Sequence, residues 1–223
     1  MKIVLTRELG KNDALSTWLP DHATVHEVPL TSTRYFDEGT VNDALHASAN
    51  FGKFRSLVVT SERSMTYVPL ALAAATADVE VYSVGPTTSE ALSAQGVKVR
   101  AEGEGAAVTL AQSVSRGPVL LMGAASMRDE LTLALRAKGL DVTVIACYET
   151  VALGLSEVDI LLLRDADVVF IGAPSAWSVA RVHVDADALV VVPGGSTGAV
   201  VRVDHATVLE GWGPSLRTRL TTR

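Results

Sequence analysis

The sequence has little cysteine, since Cys147 is the only one in 223 residues. A single thiol excludes a disulfide within the chain and is typical of proteins from a reducing compartment. The start MKIVLTRELG also lacks the charged segment followed by an apolar segment that marks a secretory signal. We therefore expect a cytoplasmic protein.

Positive charge and long apolar runs are also scarce. Lys and Arg number 19 against 25 Asp and Glu, which gives a formal net charge of -6. Proteins that bind nucleic acid or a membrane surface normally present a basic face, and no apolar run here reaches the ~20 residues of a membrane span without a charge or a turn. We therefore expect no nucleic-acid or membrane partner, and a polyanionic ligand would need locally placed arginines.

The chain lacks the short motifs of common metal and nucleotide sites. HExxH, paired cysteines, a Walker-type loop and GxGxxG after a strand are absent, and GGSTG (194–198) alone is a weak phosphate signal. The sequence therefore implies neither a metal nor a cofactor.

What is present is a regular alternation of short apolar runs with amphipathic segments. Many of the runs are apolar at nearly every position, which is typical of strands buried on both faces of a parallel sheet. The pattern predicts an α/β fold with parallel sheets. The predicted strands are 2–7, 23–30, 56–60, 79–84, 97–100, 118–122, 141–150, 167–172 and 188–193. The predicted helices include 12–19, 37–49, 106–115, 126–138 and 157–163, with further helices ending near 75 and following Pro86, Pro174 and Gly195.

Two parts of the sequence resemble one another. LVVTSERSM (57–65) followed by VYSVGPTTSEAL (81–92) is similar to VVFIGAPSAW (168–177) followed by VVVPGGSTGAVV (190–201). A duplicated pair of strand–turn–helix units predicts two similar α/β domains. Because ligands of open α/β sheets bind beyond the carboxyl ends of the strands, we expect the two sets of turns to line an interdomain cleft.

The turn GPTT (85–88) allows two interpretations. A strand that leads into a helix start leaves backbone N–H groups and hydroxyls at the surface, an arrangement that binds anions in many α/β proteins. A threonine at a helix N-cap, however, needs no ligand. Both interpretations stay open for Thr87 and Thr88, and for Ser196 and Thr197 in the second copy.

A set of short motifs resembles, in order and spacing, the uroporphyrinogen-III synthase family. The similarity begins at IVLTR (3–7) and spans nearly the whole chain, although each motif alone has low specificity. The motifs are TSERSM (60–65), SVGPTTSEALSAQG (83–96), MRDELTLALRAKGLDV (127–142), CYETV (147–151), APSAW (173–177) and GGSTGAVV (194–201).

The resemblance implies a particular domain arrangement. Members of the family have two similar α/β domains joined by a two-stranded linker, and one domain is discontinuous because both chain ends contribute to it. The polar, aperiodic TSTRY segment independently indicates a break in the chain. The resemblance places the terminal domain at 1–29 and 152–223, the inserted domain at 35–146, and the linkers at 30–34 and 147–151.

The resemblance also implies a reaction. The family closes the linear tetrapyrrole hydroxymethylbilane into uroporphyrinogen III, with inversion of ring D and loss of water. Departure of the terminal hydroxyl leaves an electrophilic azafulvene, which the substituted carbon of ring D attacks to give a spiro intermediate. The protein must fold the substrate, assist the departing hydroxyl and hold the carboxylates. It would act as a monomeric lyase without cofactor, on a bilane received from the deaminase that produces it.

By the same resemblance, Tyr148 is the candidate catalytic residue. It matches the tyrosine of the family pattern V-Y-x-T, where it would lie at the domain junction and donate a proton or hydrogen bond to the leaving hydroxyl. A phenol is protonated at neutral pH, so the donation is chemically reasonable. The alternative interpretation is an ordinary half-buried strand tyrosine with its hydroxyl in water.

Carboxylate-binding residues follow from the matching turns. Ser61 and Arg63 match the family turn T-S-x-R, and Arg63 would clamp a substrate carboxylate through its bidentate guanidinium. Ser175 occupies the equivalent position of the second copy. The other candidate substrate-binding residues are Thr87, Thr88, Ser196, Thr197, Arg7 and Arg128.

Some of these residues have equally good structural interpretations. Arg7 ends the first strand and Arg128 opens a helix, both at edges where a cleft would form, but surface arginines are common. Cys147 is expected to pack in the core rather than to act as a nucleophile. Trp177 and Trp212 are expected to be core or docking residues.

The second copy departs from the family pattern. Ala173 in GAPSA stands where the family more often has a threonine, and PGGST (193–197) replaces the commoner Gly-x-Thr-Thr. Fewer hydroxyl donors would then face the substrate from this side. Two alternatives therefore stay open: a catalytically silent tetrapyrrole-binding member with a regulatory role, and a two-lobed module that binds a small molecule without chemistry.

Overall fold

The computed structural model of the protein describes residues 1–103 and 107–221, with every side chain in those ranges except that of Ala107. The chain divides into two compact units. Unit 1 comprises Met1–Ser32 and Val151–Arg223, and unit 2 comprises Thr33–Thr150.

Strands and helices alternate through the described residues. The strands are β1 (Lys2–Leu5), β2 (Thr24–Glu27), β3 (Thr31–Tyr35), β4 (Phe54–Val59), β5 (Ala75–Ser83), β6 (Val99–Glu102), β7 (Val119–Ala124), β8 (Val142–Ala152), β9 (Val168–Phe170), β10 (Leu189–Val192) and β11 (Val208–Glu210). The helices are α1 (Asp13–Ser16), α2 (Glu38–His46), a 3₁₀ helix (Glu62–Tyr67), α3 (Val68–Ala73), α4 (Pro86–Ala94), α5 (Ala107–Ser113), α6 (Glu130–Ala137), α7 (Glu157–Arg164), α8 (Pro174–Ala180), α9 (Gly195–Val201) and α10 (Leu216–Thr221).

The sheet of unit 1 is parallel. Within the described residues its strand order is β11-β10-β9-β1-β2. Ile3 of β1 pairs with Val25 of β2 on one side and with Val168 of β9 on the other. The carboxyl ends of all these strands lie at one edge, because β10 pairs in parallel with both β9 and β11.

Unit 2 contains the second sheet, with the order β3-β8-β7-β4-β5-β6 over the part of the chain that is described. The pairings β8–β7, β7–β4, β4–β5 and β5–β6 are parallel. Between Gly123 and Ala124 of β7 the register with β8 shifts, so that Ala124 pairs with Tyr148 and Cys147 is the extra residue.

The cores lie on both faces of each sheet. In β1, Ile3 and Leu5 pack into one cluster while Val4 packs into the cluster on the opposite face. In β4, Leu57 and Val58 likewise belong to different clusters. Burial of a large apolar side chain contributes about 1.5–3 kcal/mol. The continuous apolar runs thus arise from covering both faces, which confirms the predicted α/β fold.

Several elements differ from the sequence prediction. TSTRY is not an irregular segment but forms strand β3, because pairing with β8 supplies the hydrogen bonds that its polar sequence does not predict. Helix α1 has four residues instead of the eight predicted at 12–19. The sequence analysis missed β11 and α10, and residue 106, the predicted start of the fifth helix, lies outside the described residues.

The helices are too short or too polar for a bilayer. Throughout the described ranges, none has the length and apolar character needed to cross a membrane.

The end of α5 is held by a lysine that follows α6. Nζ of Lys138 donates hydrogen bonds to the carbonyl oxygens of Ala111 at 2.7 Å, Gln112 at 2.9 Å and Val114 at 2.5 Å. An ammonium group has three donors, and the last carbonyls of a helix lack partners within the helix and carry partial negative charge. Lys138 therefore ties α5 to α6.

We expect Lys138→Met to lower the free energy of unfolding by about 1–2 kcal/mol, because the apolar stem is kept while the three carbonyls lose their donor. Urea unfolding of the variant measures this change. Lys98→Met is the matched control, since Lys98 is an exposed lysine of the same unit with no ion pair or hydrogen bond through its side chain in the described residues. Equal losses in the two variants would contradict the role of Lys138.

Candidate functional site

The site in unit 2 is centred on Tyr148 of β8 and Arg63 of the 3₁₀ helix. The side chain of Tyr148 is 6% exposed and packs into the core cluster that also contains Cys147. The guanidinium carbon of Arg63 lies 5.8 Å from the centre of the Tyr148 ring. Arginine in this position is attracted to the negative face of the ring. The structure thus brings together two of the residues selected from the sequence.

A β-bulge sets the direction of Tyr148. The register shift opposite Ala124 inserts Cys147 as an extra residue, and both Cys147 and Tyr148 then join one core cluster instead of alternating between faces. Bulges redirect side chains in this way and occur often next to functional sites. The backbone also fixes the strand end, because N–H of Ala125 donates to the Tyr148 carbonyl oxygen at 2.7 Å.

The hydroxyl of Tyr148 differs from those of the other buried tyrosines. The Tyr67 hydroxyl donates to the carbonyl oxygen of Phe36, and the Tyr82 hydroxyl donates to Glu80 at 2.7 Å. Burial raises the pKa of Tyr67 and, with the Glu80 carboxylate, raises the pKa of Tyr82 to about 12. Within the described residues, the Tyr148 hydroxyl makes no such bond, so it is available to a ligand.

Arg63 is positioned by the turn that follows β4. Ser61 is the N-cap of the 3₁₀ helix, and its hydroxyl oxygen accepts a hydrogen bond from the backbone N–H of Arg63 at 3.2 Å. Thr60 donates from Oγ1 to the carbonyl oxygen of Met122 at 3.0 Å. A Cβ at Gly123 would overlap this hydroxyl, so the approach of the two strand ends requires glycine. The sequence TSER therefore supplies a braced turn that presents Arg63.

Cys147 is a core residue, as the sequence predicts. Its side chain is fully buried, and burial raises the pKa of the thiol to about 11. A thiol with that pKa stays protonated at neutral pH, and the thiolate is the reactive form. Cys147 therefore packs beside the site and does not provide a nucleophile.

Thr87 and Thr88 lie within the first turn of α4 and do not cap it. The N-cap is Gly85, which has no side chain to donate or accept, and Pro86 follows it. Thr87 is exposed and Thr88 is 6% exposed. The capping interpretation of these threonines is therefore wrong, because the chain enters the helix two residues earlier than capping by Thr87 would require.

Unit 1 repeats this arrangement after β10. Gly194 is the N-cap of α9 without a side-chain bond, so Ser196 and Thr197 do not cap the helix either. Ser196 is exposed, and Thr197 is 3% exposed.

After β9, Ala173 is the N-cap of α8 and Ser175 is exposed in the first turn. A threonine at position 173 would place a hydroxyl at the cap, and alanine supplies none. The missing hydroxyl noted in the sequence therefore falls at the start of α8.

The remaining arginines lie at strand ends. Arg7 follows β1 and its guanidinium carbon lies 5.5 Å from the centre of the Trp212 ring. Arg128 is exposed in the turn between β7 and α6, and the helix begins at Glu130 rather than at Arg128. Within the described ranges, no group of three or more His, Cys, Asp or Glu side chains is arranged to hold a metal ion.

The sequence analysis did not select two aromatic residues that contact candidate site residues. Tyr35 is 53% exposed, and its ring centre lies 6.2 Å from that of Tyr148. Trp212 packs against the core cluster of unit 1, as the sequence predicts, and its ring also contacts Arg7. The signal for Tyr35 was present in the sequence, because pairing of the TSTRY and CYETV segments brings the two tyrosines together.

Two of the comparisons with known proteins, one with family models and one with solved structures, give the same family. Residues 21–199 match the model of the family described as uroporphyrinogen-III synthase HemD. No curated protein sequence matches the chain.

Solved structures with similar folds were found as well. A crystal structure of mutant uroporphyrinogen III synthase from the extremely thermophilic bacterium Thermus thermophilus is 15% identical, with a TM-score of 0.70 over 100% of this chain and 96% of that one. Uroporphyrinogen-III synthetase from Helicobacter pylori is 14% identical, with a TM-score of 0.65 over 99% of this chain and 98% of that one. These likenesses establish the fold, and the family match covers well over half of the chain. The protein is therefore a member of the uroporphyrinogen-III synthase family, an enzyme family of tetrapyrrole synthesis.

Proposed function

We propose that this chain is a uroporphyrinogen-III synthase, a lyase that closes hydroxymethylbilane into uroporphyrinogen III with inversion of ring D and loss of one water. The observation that carries the proposal is the family match over residues 21–199. That range includes Tyr148, Arg63 and the turns before α4, α8 and α9. The enzyme would act in the cytoplasm as a monomer, without a cofactor, on bilane supplied by the deaminase that makes it.

Tyr148 is proposed to assist the departing hydroxyl. Its phenol is not engaged by another described residue, whereas Tyr67 and Tyr82 donate to protein oxygens. A donor that is positioned but not yet paired can form its hydrogen bond as negative charge develops on the leaving oxygen. The buried ring limits the directions that the hydroxyl can take, which favours one geometry for the substrate.

Arg63 is proposed to bind a substrate carboxylate. A guanidinium has a planar fork of N–H donors that matches the bidentate geometry of a carboxylate, and contact with the Tyr148 ring limits the rotamers of Arg63. Because Arg63 lies over Tyr148, a carboxylate bound there would place the substrate beside the proposed proton donor. Ser61 contributes by fixing the backbone of Arg63.

The other candidates are proposed to share the remaining carboxylates. Their hydroxyls and guanidinium groups lie beyond the carboxyl ends of strands, where open α/β sheets bind their ligands. Ser196 and Ser175 are exposed, and so is Arg128. The full set is Thr87, Thr88, Ser175, Ser196, Thr197, Arg7 and Arg128.

Residues 30–34 and 147–151 are proposed to act as the linkers between a terminal domain (1–29 and 152–223) and an inserted domain (35–146). The division of the chain between Ser32 and Thr33 and between Thr150 and Val151 supports this assignment. The two segments belong to neighbouring strands β3 and β8, and Arg34 forms an ion pair with Glu149.

The isomer of the product tests the reaction. Free hydroxymethylbilane closes spontaneously without inverting ring D and gives the type I isomer, so an enzyme must hold the substrate such that the hindered carbon attacks first. We expect the protein, added to freshly made bilane with a chelator present, to shift the product from type I to type III, as measured by chromatography of the oxidised porphyrins.

Two results would contradict this assignment. Type III formation only when a metal ion is added would exclude the cofactor-free reaction. Bound bilane that yields type I alone would favour the catalytically silent module, for which the missing hydroxyl at Ala173 is the supporting observation.

We expect Tyr148→Phe to lower kcat by about 10²-fold while KM changes little, because a proton donated to the leaving group matters mainly in the transition state. Steady-state formation of the type III isomer measures both constants. Tyr82→Phe is the control, since it removes a hydroxyl of the same unit whose hydrogen bond to Glu80 is structural. A wild-type kcat in the Tyr148→Phe variant would contradict the proposed catalytic role and leave Tyr148 with a packing role.

Arg63→Ala is expected to raise KM about tenfold or more, because loss of a charge-assisted hydrogen bond weakens substrate binding. The same assay measures the change. Arg55→Ala removes one positive charge from the same unit, where Arg55 pairs with Asp78 at 3.7 Å, and should leave KM unchanged. Similar increases in both variants would indicate a general charge effect instead of a specific contact.

A further inference from the structure

Unit 1 contains an arginine stacked on an aromatic ring, as unit 2 does. The guanidinium carbon of Arg7 lies 5.5 Å from the centre of the Trp212 ring, and that of Arg63 lies 5.8 Å from the centre of the Tyr148 ring. Arg7 and Arg63 each follow the carboxyl end of a strand, β1 and β4 respectively. The two units thus repeat a chemical feature that their sequences do not share, because the aromatic partners come from unrelated segments.

Gly172 lies beside both Arg7 and Trp212. It follows β9, the strand next to β1, and a Cβ at this position would lie 3.3 Å from Cγ of Arg7 and 3.5 Å from Cη2 of Trp212. The first of these contacts would be tight and the second an ordinary van der Waals contact, so Gly172 leaves little spare room beside Arg7 and Trp212.

The Trp212 ring is fixed by packing alone. It lies against the core cluster that contains Phe170, and the centres of these two rings are 6.2 Å apart at an interplanar angle of 48°. Its indole N–H is buried and has no acceptor in the described part of the chain. A tryptophan kept only for packing would normally place this donor on a partner or in water.

Arg7 is held at its own end as well. One of its terminal nitrogens, Nη1, donates to the carbonyl oxygen of Lys11 at 2.5 Å. This bond and the contact with the Trp212 ring together limit the positions that the guanidinium can take.

We propose that Trp212 is a positioning residue that holds the guanidinium of Arg7 for a carboxylate of the linear tetrapyrrole. This inference rests on the proposed function and adds Trp212 to the substrate-binding machinery of unit 1. Contact with the ring restricts the rotamers of the arginine side chain before the substrate arrives, and so reduces the entropy lost on binding. An unrestrained arginine would have to be ordered by the substrate itself.

The location explains why unit 1 has such a pair. Arg7 lies beyond the same edge of the sheet as the starts of α8 and α9. There the N-caps are Ala173 and Gly194, which supply no side-chain donor. The positioned guanidinium provides a strong anion contact at the edge where these two N-cap residues supply no hydroxyl.

Kinetics of variants test the inference. We expect Trp212→Leu to raise KM for hydroxymethylbilane about fivefold, as for loss of a modest cation–π contact, with kcat within about twofold of wild type. Trp212→Phe should stay close to wild type because it keeps an aromatic face. Trp18→Leu is the matched control, since Trp18 is partly buried against the same core cluster and no arginine of the described ranges lies over its ring. An equal rise of KM in the Trp18 variant would overturn the proposal.

Coupling between the two residues distinguishes positioning from packing. If Trp212 acts through Arg7, the double variant Arg7→Gln/Trp212→Leu should have the same KM as Arg7→Gln alone. Multiplication of the two single effects would overturn the proposal. If Trp212→Leu does not fold, Arg7→Lys decides, because it keeps the charge and loses the planar fork. A raised KM then supports the inference, and an unchanged KM contradicts it.

Binding without turnover separates this inference from the proposed function. Isothermal titration with uroporphyrin, a stable polycarboxylate, needs no catalysis. If the wild type forms no type III isomer, the proposed function fails. Weaker uroporphyrin binding by Trp212→Leu than by Trp18→Leu would still support the positioning of Arg7 by Trp212. Equal binding by the two variants would exclude it.

Discussion

Burial of both faces of two parallel sheets is the constraint on which the rest of the structure depends. Successive residues of Ile3–Leu5 and Leu57–Val59 enter different cores, so these parts of β1 and β4 have no face left for charged side chains. Charged side chains beyond the carboxyl ends of these two strands therefore lie in the segments that leave them. Because neighbouring strands run parallel, those segments collect at one edge of each sheet. Arg7 and Arg63 lie in such segments, and their positions follow from the way the sheets are covered.

In both segments, contact with an aromatic ring restricts the arginine side chain. A long arginine side chain at a strand end has many rotamers, and ordering it costs free energy at the moment of binding. In unit 2 the order comes from Tyr148 on β8 and from the Ser61 cap, and in unit 1 from Trp212 and the carbonyl oxygen of Lys11. The residues that restrict the arginine differ between the units. In each unit, however, the guanidinium belongs to a segment that follows the carboxyl end of a parallel strand. Under the proposed function, these two guanidinium groups would let a chain of net negative charge bind a substrate rich in carboxylates.

Much of the fold was predictable because its signals are local. Continuous apolar runs predicted the parallel strands, and the two related strand–turn–helix pairs predicted two similar domains. The motifs also identified the family that the comparisons show. The residues of TSTRY alone did not reveal strand β3, although the resemblance implied a two-stranded linker there, because these polar residues become a strand only through pairing with β8. Short elements such as β11 and α10 were missed for a similar reason, since three to six residues have little periodicity of their own.

The candidate site, like the fold, was predictable from the sequence only in part. The sequence by itself selected the candidate residues, because Tyr148, Arg63 and Ser61 stand in recognisable motifs, and it predicted that Cys147 belongs in the core. Only the tertiary structure decided how they are used. The bulge at Cys147 turns Tyr148 toward Arg63, and the ring of Trp212, from the far end of the chain, contacts Arg7. Gly85 and Gly194 are the N-caps of helices for which capping by threonine was one of two open interpretations. These outcomes depend on register and on contacts between distant segments, and no local pattern of residues encodes either.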